Sequence, residues 1–409
     1  MSHGDVAWVL ISAALVLFMV PGLALFYGGM TRSKNMLNML NMNVYCLGIV
    51  PLVWIVVGYS LAAGGSSNPV IGNFDHVALD GIEGTETIAV FVFLMAFAAI
   101  TPALISGAVA DRMKFGAWAV FVPVWSLLVY SPVVYWVYGA EGWIKELPAH
   151  DFAGGTAIHV NAGAAALALV IVLKPRVGWP REGMAPHNLP LVMLGAGILW
   201  FGWFGFNAGS ALAADGVAAQ AFLNTFIAGS AGMIAWLVVE YLRDGHATTL
   251  GAASGVIAAL VAITPAAGFV GGMHSLVFGA VAGVVCYFAI QLKFKFGYDD
   301  SLDVVGIHFA GGVTGGVLLG LFADASSIPG GDFKEGLFFG GGAGLLGNQV
   351  LSIVVVAVFS FVVTYGIAKV LDATIGLRVS KQSELEGLDQ SEHAERAYHF
   401  GDSGRDRIG

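Results

Sequence analysis

Asp151-Phe152-Ala153-Gly154-Gly155-Thr156-Ala157-Ile158-His159 opens an apolar run that continues to Leu173, with His159 as its one ionisable side chain. A bilayer core is crossed by roughly 20 apolar residues in helical form, so this stretch reads as a membrane span over 152–173. An imidazole inside such a span is costly and marks a functional position by default. A second one, His308, follows in Ser301-Leu302-Asp303-Val304-Val305-Gly306-Ile307-His308, about half a chain-length on.

Working outward, the whole chain has the same character. Hydrophobic residues make up 57% of it and charged residues 11%, and the mean hydropathy is +0.80, which excludes an ordinary soluble domain. Apolar runs of spanning length recur near 6–30, 38–63, 87–110, 116–138, 152–173, 188–213, 218–241, 248–264, 272–292, 302–323 and 338–371. The fold expected is an all-α polytopic membrane protein with 11 transmembrane helices. The glycines, 57 in number, suit helices that approach closely. In the last span Gly340–Gly344 reads as loop, with the helix proper starting near Leu345; a helix of that length must tilt. The first run lacks a basic leader and is too long for a signal core, so it is expected to stay in the protein. Cys46 and Cys286 both fall inside spans and read as small buried residues rather than a disulfide.

Lysines and arginines orient the spans. With the N-terminus outside, Arg32, Lys34, Arg112, Lys114, Lys174, Arg176, Arg181, Arg243, Lys293 and Lys295 fall in inner loops. Lys369, Arg378, Lys381, Arg396, Arg405 and Arg407 join them at the inner end, leaving only Lys145 and Lys334 outside. The expectation is N-terminus out and C-terminus in, with 1–371 a transmembrane domain and 372–409 a cytoplasmic tail.

Spans one to five and six to ten have opposite orientation, and each half ends on a histidine-bearing span. That is the pattern of an inverted 5+5 repeat, which places a substrate path at the repeat interface. Two facing imidazoles can share a proton or pass one along. The plain alternative is a pair of core histidines bonded to backbone carbonyls; the equivalent positions in two halves favour function. No Cys, Asp or Glu stands at ligand spacing beside either, so no metal is expected. Asp151 sits where an N-cap belongs, able to accept from the amides of Gly154, Gly155 or Thr156, with an electrostatic contribution to any cation nearby. Phe97 and Phe206 lie in aromatic stretches near the outer halves of their spans, where rings stabilise cations by roughly 0.5–2 kcal/mol each.

Four motifs carry a resemblance: Asp151-Phe-Ala-Gly-Gly-Thr-x-x-His159, Gly202-Trp-Phe-Gly-Phe-Asn-Ala-Gly-Ser210, Ile263-Thr-Pro-Ala-Ala-Gly268 and Asp303-Val-Val-Gly-Ile-His308. In order and spacing they resemble the Amt/Mep/Rh ammonium transporter family over essentially the whole chain, and the tail resembles the bacterial and archaeal Amt branch. The resemblance implies ammonium as substrate, taken up for nitrogen across the cell (inner or plasma) membrane, with no cofactor. It implies an outer recruitment site of Ser210, Phe97 and the ring ending the fourth span, with Asp151 the acidic residue needed for conduction. It implies a phenyl gate of Phe97 and Phe206, twin pore histidines His159 and His308 handling the proton, and Phe26 lining the inner pore. A homotrimer in membrane lipid is implied, and a PII-type signalling partner for a tail that includes His393, Glu395 and Tyr398. Two departures stand out. Tyr138 replaces the recruitment-site Trp, which weakens the cation–π attraction but adds a hydroxyl. Ala394 replaces a tail Gly, which is strained if that position needs positive φ.

Nothing resembles a nucleotide loop or a nucleophile with its base, so neither an enzyme nor a nucleic-acid binder is expected. The alternatives to a transporter are an ammonium sensor acting through its tail and a PII protein, and an electrically silent ammonia channel.

Overall fold

A computed structural model describes residues 1–65 and 68–398; Arg405 and Arg407, and the tail beyond Tyr398, lie outside the described residues. The architecture is all-helical, with no strand among those residues. Helix α1 is His3–Met30, α2 spans 36–63, α3 is Thr85–Val109 and α4 spans 115–138. Then come α5, Gly155–Leu173, α6, Leu189–Ala208, α7, Gly216–Asp244, and α8, Thr249–Ile263. They are followed by α9, Gly272–Phe296, α10, Val305–Phe322, and α11, Gly344–Thr374. Ten of the helices among the described residues are long and apolar enough to cross a membrane, and the multi-pass reading stands on them. The expected eighth span, 248–264, is the 15-residue apolar helix α8, shorter than the rest and buried along most of its length.

The sequence dictates these elements locally. Ser2 and Asp5 form a reciprocal cap on α1, Asp215 caps α7 and Thr248 caps α8. The glycines before Gly344 stay outside α11, whose 31 residues reach roughly 46 Å at helical rise. Pro51 and Pro123 remove backbone donors, and each is followed within a turn by a widened π turn, Trp54–Gly58 in α2 and Ser126–Tyr130 in α4.

Two further π turns, Gly155–Val160 and Val305–Phe309, open α5 and α10, the helices that carry the histidines. The two halves are knitted through equivalent elements: α1 packs along α6, and α5 crosses α10. At the second crossing a Cβ on Gly163 would lie 2.5 Å from the Phe309 amide nitrogen, so only glycine permits the approach.

The basic face of the bundle is fastened by a buried ionic network. Arg176 grips Asp299 through Nε and Nη2, each at 2.8 Å, and Asp111 accepts from Arg32 at 2.9 Å. Arg112, fully buried, donates to the carbonyls of Lys174 and Asp299 and to Ser301 Oγ. The tail helices α12, Lys381–Glu386, and α13, Leu388–His393, lie on this network. Glu384 accepts from the Val177 amide and from Arg378, and Asp389 from the Asn38 amide. Ala394 follows α13 at φ 55, ψ 32, the left-handed conformation that glycine adopts without strain.

Burial would raise the Asp299 carboxyl, but hydrogen bonds from Arg176 and the charges of Arg112 and Arg176 hold it below its ordinary value of 3.8. Stability from this pair is therefore present above about pH 4 and lost as the pH falls through the depressed folded value. Asp299→Asn leaves Arg176 with Asp111, at 3.4 Å, as its remaining carboxylate and is expected to cost about 1.5–3 kcal/mol, read as a lower thermal midpoint in detergent at pH 7. The deficit should shrink towards pH 3, and a deficit that does not change with pH would contradict the ion pair.

Candidate functional site

α5 and α10 begin inside the protein, where the first amides of a helix have no carbonyl to bond and no water to replace it. Each start is met by a carboxylate. Asp151 Oδ1 accepts from the amides of Gly154 and Gly155, at 2.8 and 2.7 Å, and Oδ2 from those of Thr156 and Ala157, at 2.8 and 3.0 Å. Gly154 makes the turn possible at φ 115. In the second half the same task falls to Asp300, whose oxygens accept from Val304 at 3.1 Å and Val305 at 2.7 Å. Asp300 precedes His308 by eight residues, as Asp151 precedes His159. Asp303, the acid that opens the motif ending on His308, pairs instead with Lys293 at 2.5 Å. The repeated spacing of eight was the signal that could have found Asp300.

From these fixed starts the two imidazoles meet between the halves. His159 and His308 are 1% and 3% exposed, their rings lie 15° from parallel, and their Nδ1 atoms are 3.2 Å apart. Phe206 also stacks on His159, at a centroid distance of 5.9 Å, and Phe97 covers Phe206 at 4.3 Å. Trp203, missed by sequence reasoning, also stacks on His159 at 5.5 Å, held by its Nε1 donating to Thr264 Oγ1. Its position three residues before Phe206 would put both rings on one face of α6.

The space along this column is narrow and apolar. A cavity of about 10 Å³ lies between Phe206 and the two histidines, walled by Leu23, Phe26 and Leu104 among others. A second, of about 20 Å³, continues from His308 towards the basic face past Phe26, Tyr27 and Asp303. Volumes of that order hold a single water-sized molecule. Phe26 borders both cavities.

At the other end, beyond Phe97, Ser210 is half-buried and its hydroxyl donates to the Phe206 carbonyl at 2.8 Å, leaving its oxygen free to accept. The Tyr138 hydroxyl is buried without a hydrogen-bond partner, and the Asp151 carboxylate lies near enough to act on it electrostatically. The tail residues are elsewhere. His393 packs on Phe115 and bonds Asn38 and Asn41, Tyr398 bonds His187, and Glu395 is exposed. The site residues thus form one column from Ser210 to Phe26, with the tail set apart at the basic face. Among the described residues no cluster of His, Cys, Asp and Glu could hold a metal.

Hydrogen bonding assigns the protons. The Tyr27 hydroxyl donates its one hydrogen to the Leu104 carbonyl at 3.0 Å, so towards His308 Nε2, at 3.5 Å, it can only accept. His308 then carries its proton on Nε2 and presents a bare Nδ1. The Nδ1 contact needs one proton, which must sit on His159. That leaves His159 Nε2 a bare acceptor, and it is buried without a protein partner.

Comparison with known proteins gives one answer. The family model described as Ammonium Transporter Family matches residues 7–398. An ammonium transporter of Mycobacterium tuberculosis (strain ATCC 25618 / H37Rv) is 50% identical, covering 97% of this chain and 90% of its own length. Ammonium transporter Amt1 of Archaeoglobus fulgidus is 42% identical, covering 97% of this chain and 100% of its own. Among solved structures, Mep2 of Candida albicans superposes with a TM-score of 0.89 at 32% identity, over 94% of this chain and 88% of that one. A sensor Amt protein superposes with a TM-score of 0.89 at 28% identity, over 95% and 98%.

Tyr27→Phe tests the proton assignment. It removes one hydrogen bond, costing about 1 kcal/mol. In nitrogen-15 spectra of histidine-labelled protein the native chain is expected to show one bare Nδ1 and one bare Nε2 in the buried pair. The variant should lose that preference, and an unchanged pattern would remove Tyr27 from the assignment.

Proposed function

The chain belongs to the ammonium transporter family, and on that premise we propose that it carries ammonium inward across the cell membrane by separating it into ammonia and a proton. The observation that supports this reading best is the column itself: two stacked phenyl rings over a water-sized apolar space, with two buried imidazoles in Nδ1 contact.

An ammonium ion cannot follow that column intact. An isolated ion taken into a medium of low dielectric costs tens of kcal/mol, against roughly 0.5–2 kcal/mol regained from each ring. Loss of the proton removes the penalty. Ammonium is collected by the oxygens of Ser210 and Tyr138 and the faces of Phe97 and Tyr138. Asp151 contributes its negative charge but not a free lone pair, because four amides already occupy its oxygens. Ammonia passes Phe97 and Phe206, crosses the histidines and leaves past Phe26. Ammonium gives up its proton at the outer site beside Asp151, the proton crosses separately from ammonia to His159 Nε2, the His159 Nδ1 proton moves to His308 Nδ1, and the His308 Nε2 proton leaves towards the basic face. Potassium, of similar size and charge, has no proton to give up and is rejected.

The same reading places the N-terminus outside and the C-terminus inside, with eleven spans in residues 1–371 and a regulatory tail in 372–409. It takes the protein to be a homotrimer with one pore in each subunit and a PII-type partner at the tail. Sensing is the second reading. It is favoured by the sensor Amt neighbour and by the many bonds that join the tail to the inner loops.

The carrying test is current in proteoliposomes under an ammonium gradient. His159→Leu with His308→Leu is expected to abolish charge movement and to leave the fold intact, and potassium should evoke no current in the native protein. Ammonium current persisting in the double variant would sink the proton relay. At the outer site, Tyr138→Phe should raise the half-saturating ammonium concentration and Tyr138→Trp should lower it roughly three- to tenfold through its stronger cation–π face. Equal behaviour of Phe and Tyr at this position would exclude a part for the hydroxyl.

A further inference from the structure

On the basic face, immediately after α5, Lys174 adopts φ 64, ψ 171, a backbone conformation that is essentially glycine's. The chain holds it there by burying Arg112, whose Nε donates to the Lys174 carbonyl at 3.0 Å. The side chain gains nothing from within the protein. Lys174 is exposed, and its ammonium has no hydrogen-bond or ion-pair partner among the described residues. A non-glycine residue kept in a glycine conformation points to a use for its side chain.

Beside it lies a groove of about 450 Å³, walled by Leu167, Val170 and Ile171 of α5 and by Phe296 and Tyr298 beyond α9. The groove is continuous with the lipid-facing surface, since Ile171 is 45% and Phe296 68% exposed. Lys295, next in the chain to Phe296, sets its Nζ over that ring at 5.6 Å. The nearby acids cannot neutralise Lys174: Asp299 is held by Arg176, and Asp300 caps α10.

We propose that this groove binds one anionic phospholipid from the leaflet at the basic face, with an acyl chain along Leu167, Val170 and Ile171 and the phosphate on the Lys174 ammonium. An apolar trough ending in the unneutralised Lys174 ammonium, with Lys295 over its Phe296 wall, is complementary to an amphiphile with a negative head, which reaches it by moving within the bilayer. A free phosphate would satisfy the charge but leave the apolar walls uncovered. The occupant also explains why the strained backbone carries lysine instead of the glycine that would relax it.

The test is native mass spectrometry of the full chain in detergent, titrated separately with dioleoyl phosphatidylglycerol, dioleoyl phosphatidylcholine and inorganic phosphate. The first phosphatidylglycerol on each chain is expected to bind roughly fivefold tighter than phosphatidylcholine. Lys174→Gly, which suits the backbone and removes the ammonium, should bring it down to the phosphatidylcholine level, while Lys174→Arg keeps the preference. Ile171→Trp, which fills the groove, should weaken the first lipid of either kind. Unchanged phosphatidylglycerol binding by Lys174→Gly would overturn the proposal, and so would inorganic phosphate displacing the lipid at equal concentration.

Discussion

A helix that starts within a membrane protein must find acceptors for its first amides without the help of water, and the structure depends on how that demand is met. Asp151 gives both oxygens to four amides at the head of α5, and Asp300 does the same for two at the head of α10. With the heads satisfied, each helix opens on a π turn, and that turn brings a histidine to the interface between halves. The Nδ1 contact at 3.2 Å follows from two anchored helix starts. A helix left with free amides would sit elsewhere, or not form.

Much of the packing serves the same end. Glycine at the α5–α10 crossing lets two backbones approach, Trp203 is fixed by Thr264 so that it can stack on His159, and Phe97 lies on Phe206 above. Tyr27 meets the pair at His308 Nε2 and, through its bond to the Leu104 carbonyl, decides which nitrogens are bare. The result is a narrow apolar column whose few polar groups are already committed to one another, apart from His159 Nε2 and the hydroxyls beyond Phe97. On the proposed function, such a column handles a proton at a small number of defined atoms and offers an intact cation nothing to replace its water.

At the basic face the logic is ionic instead. Arg32, Asp111, Arg112, Arg176 and Asp299 join loops that are far apart in the chain, and the tail is docked onto those loops through Glu384 and Asp389. The tail thus contacts the loop that leads directly from α5, and Arg176 in that loop holds Asp299 in the one that leads into α10. Ala394, in a left-handed conformation better suited to glycine, stores a little strain next to His393.

The sequence by itself determined the membrane class, the approximate limits of the apolar runs, the asymmetry of basic residues and the motifs that carry the family. Each of these is a property of composition or of spacing along one chain. It also marked His159, His308 and Asp151, because ionisable residues in or at the mouth of apolar runs are visible one at a time, while Phe97, Phe206 and Ser210 were marked through the resemblance to the family. Only the tertiary structure decided the rest: that Asp300 and not Asp303 is the counterpart of Asp151, that Trp203 and Tyr27 belong to the histidine column, and that Asp151 has no free oxygen. Those are relations between residues from different helices, set by how close their backbones pack. No periodicity within a single segment encodes which of two nearby acids will face a helix head.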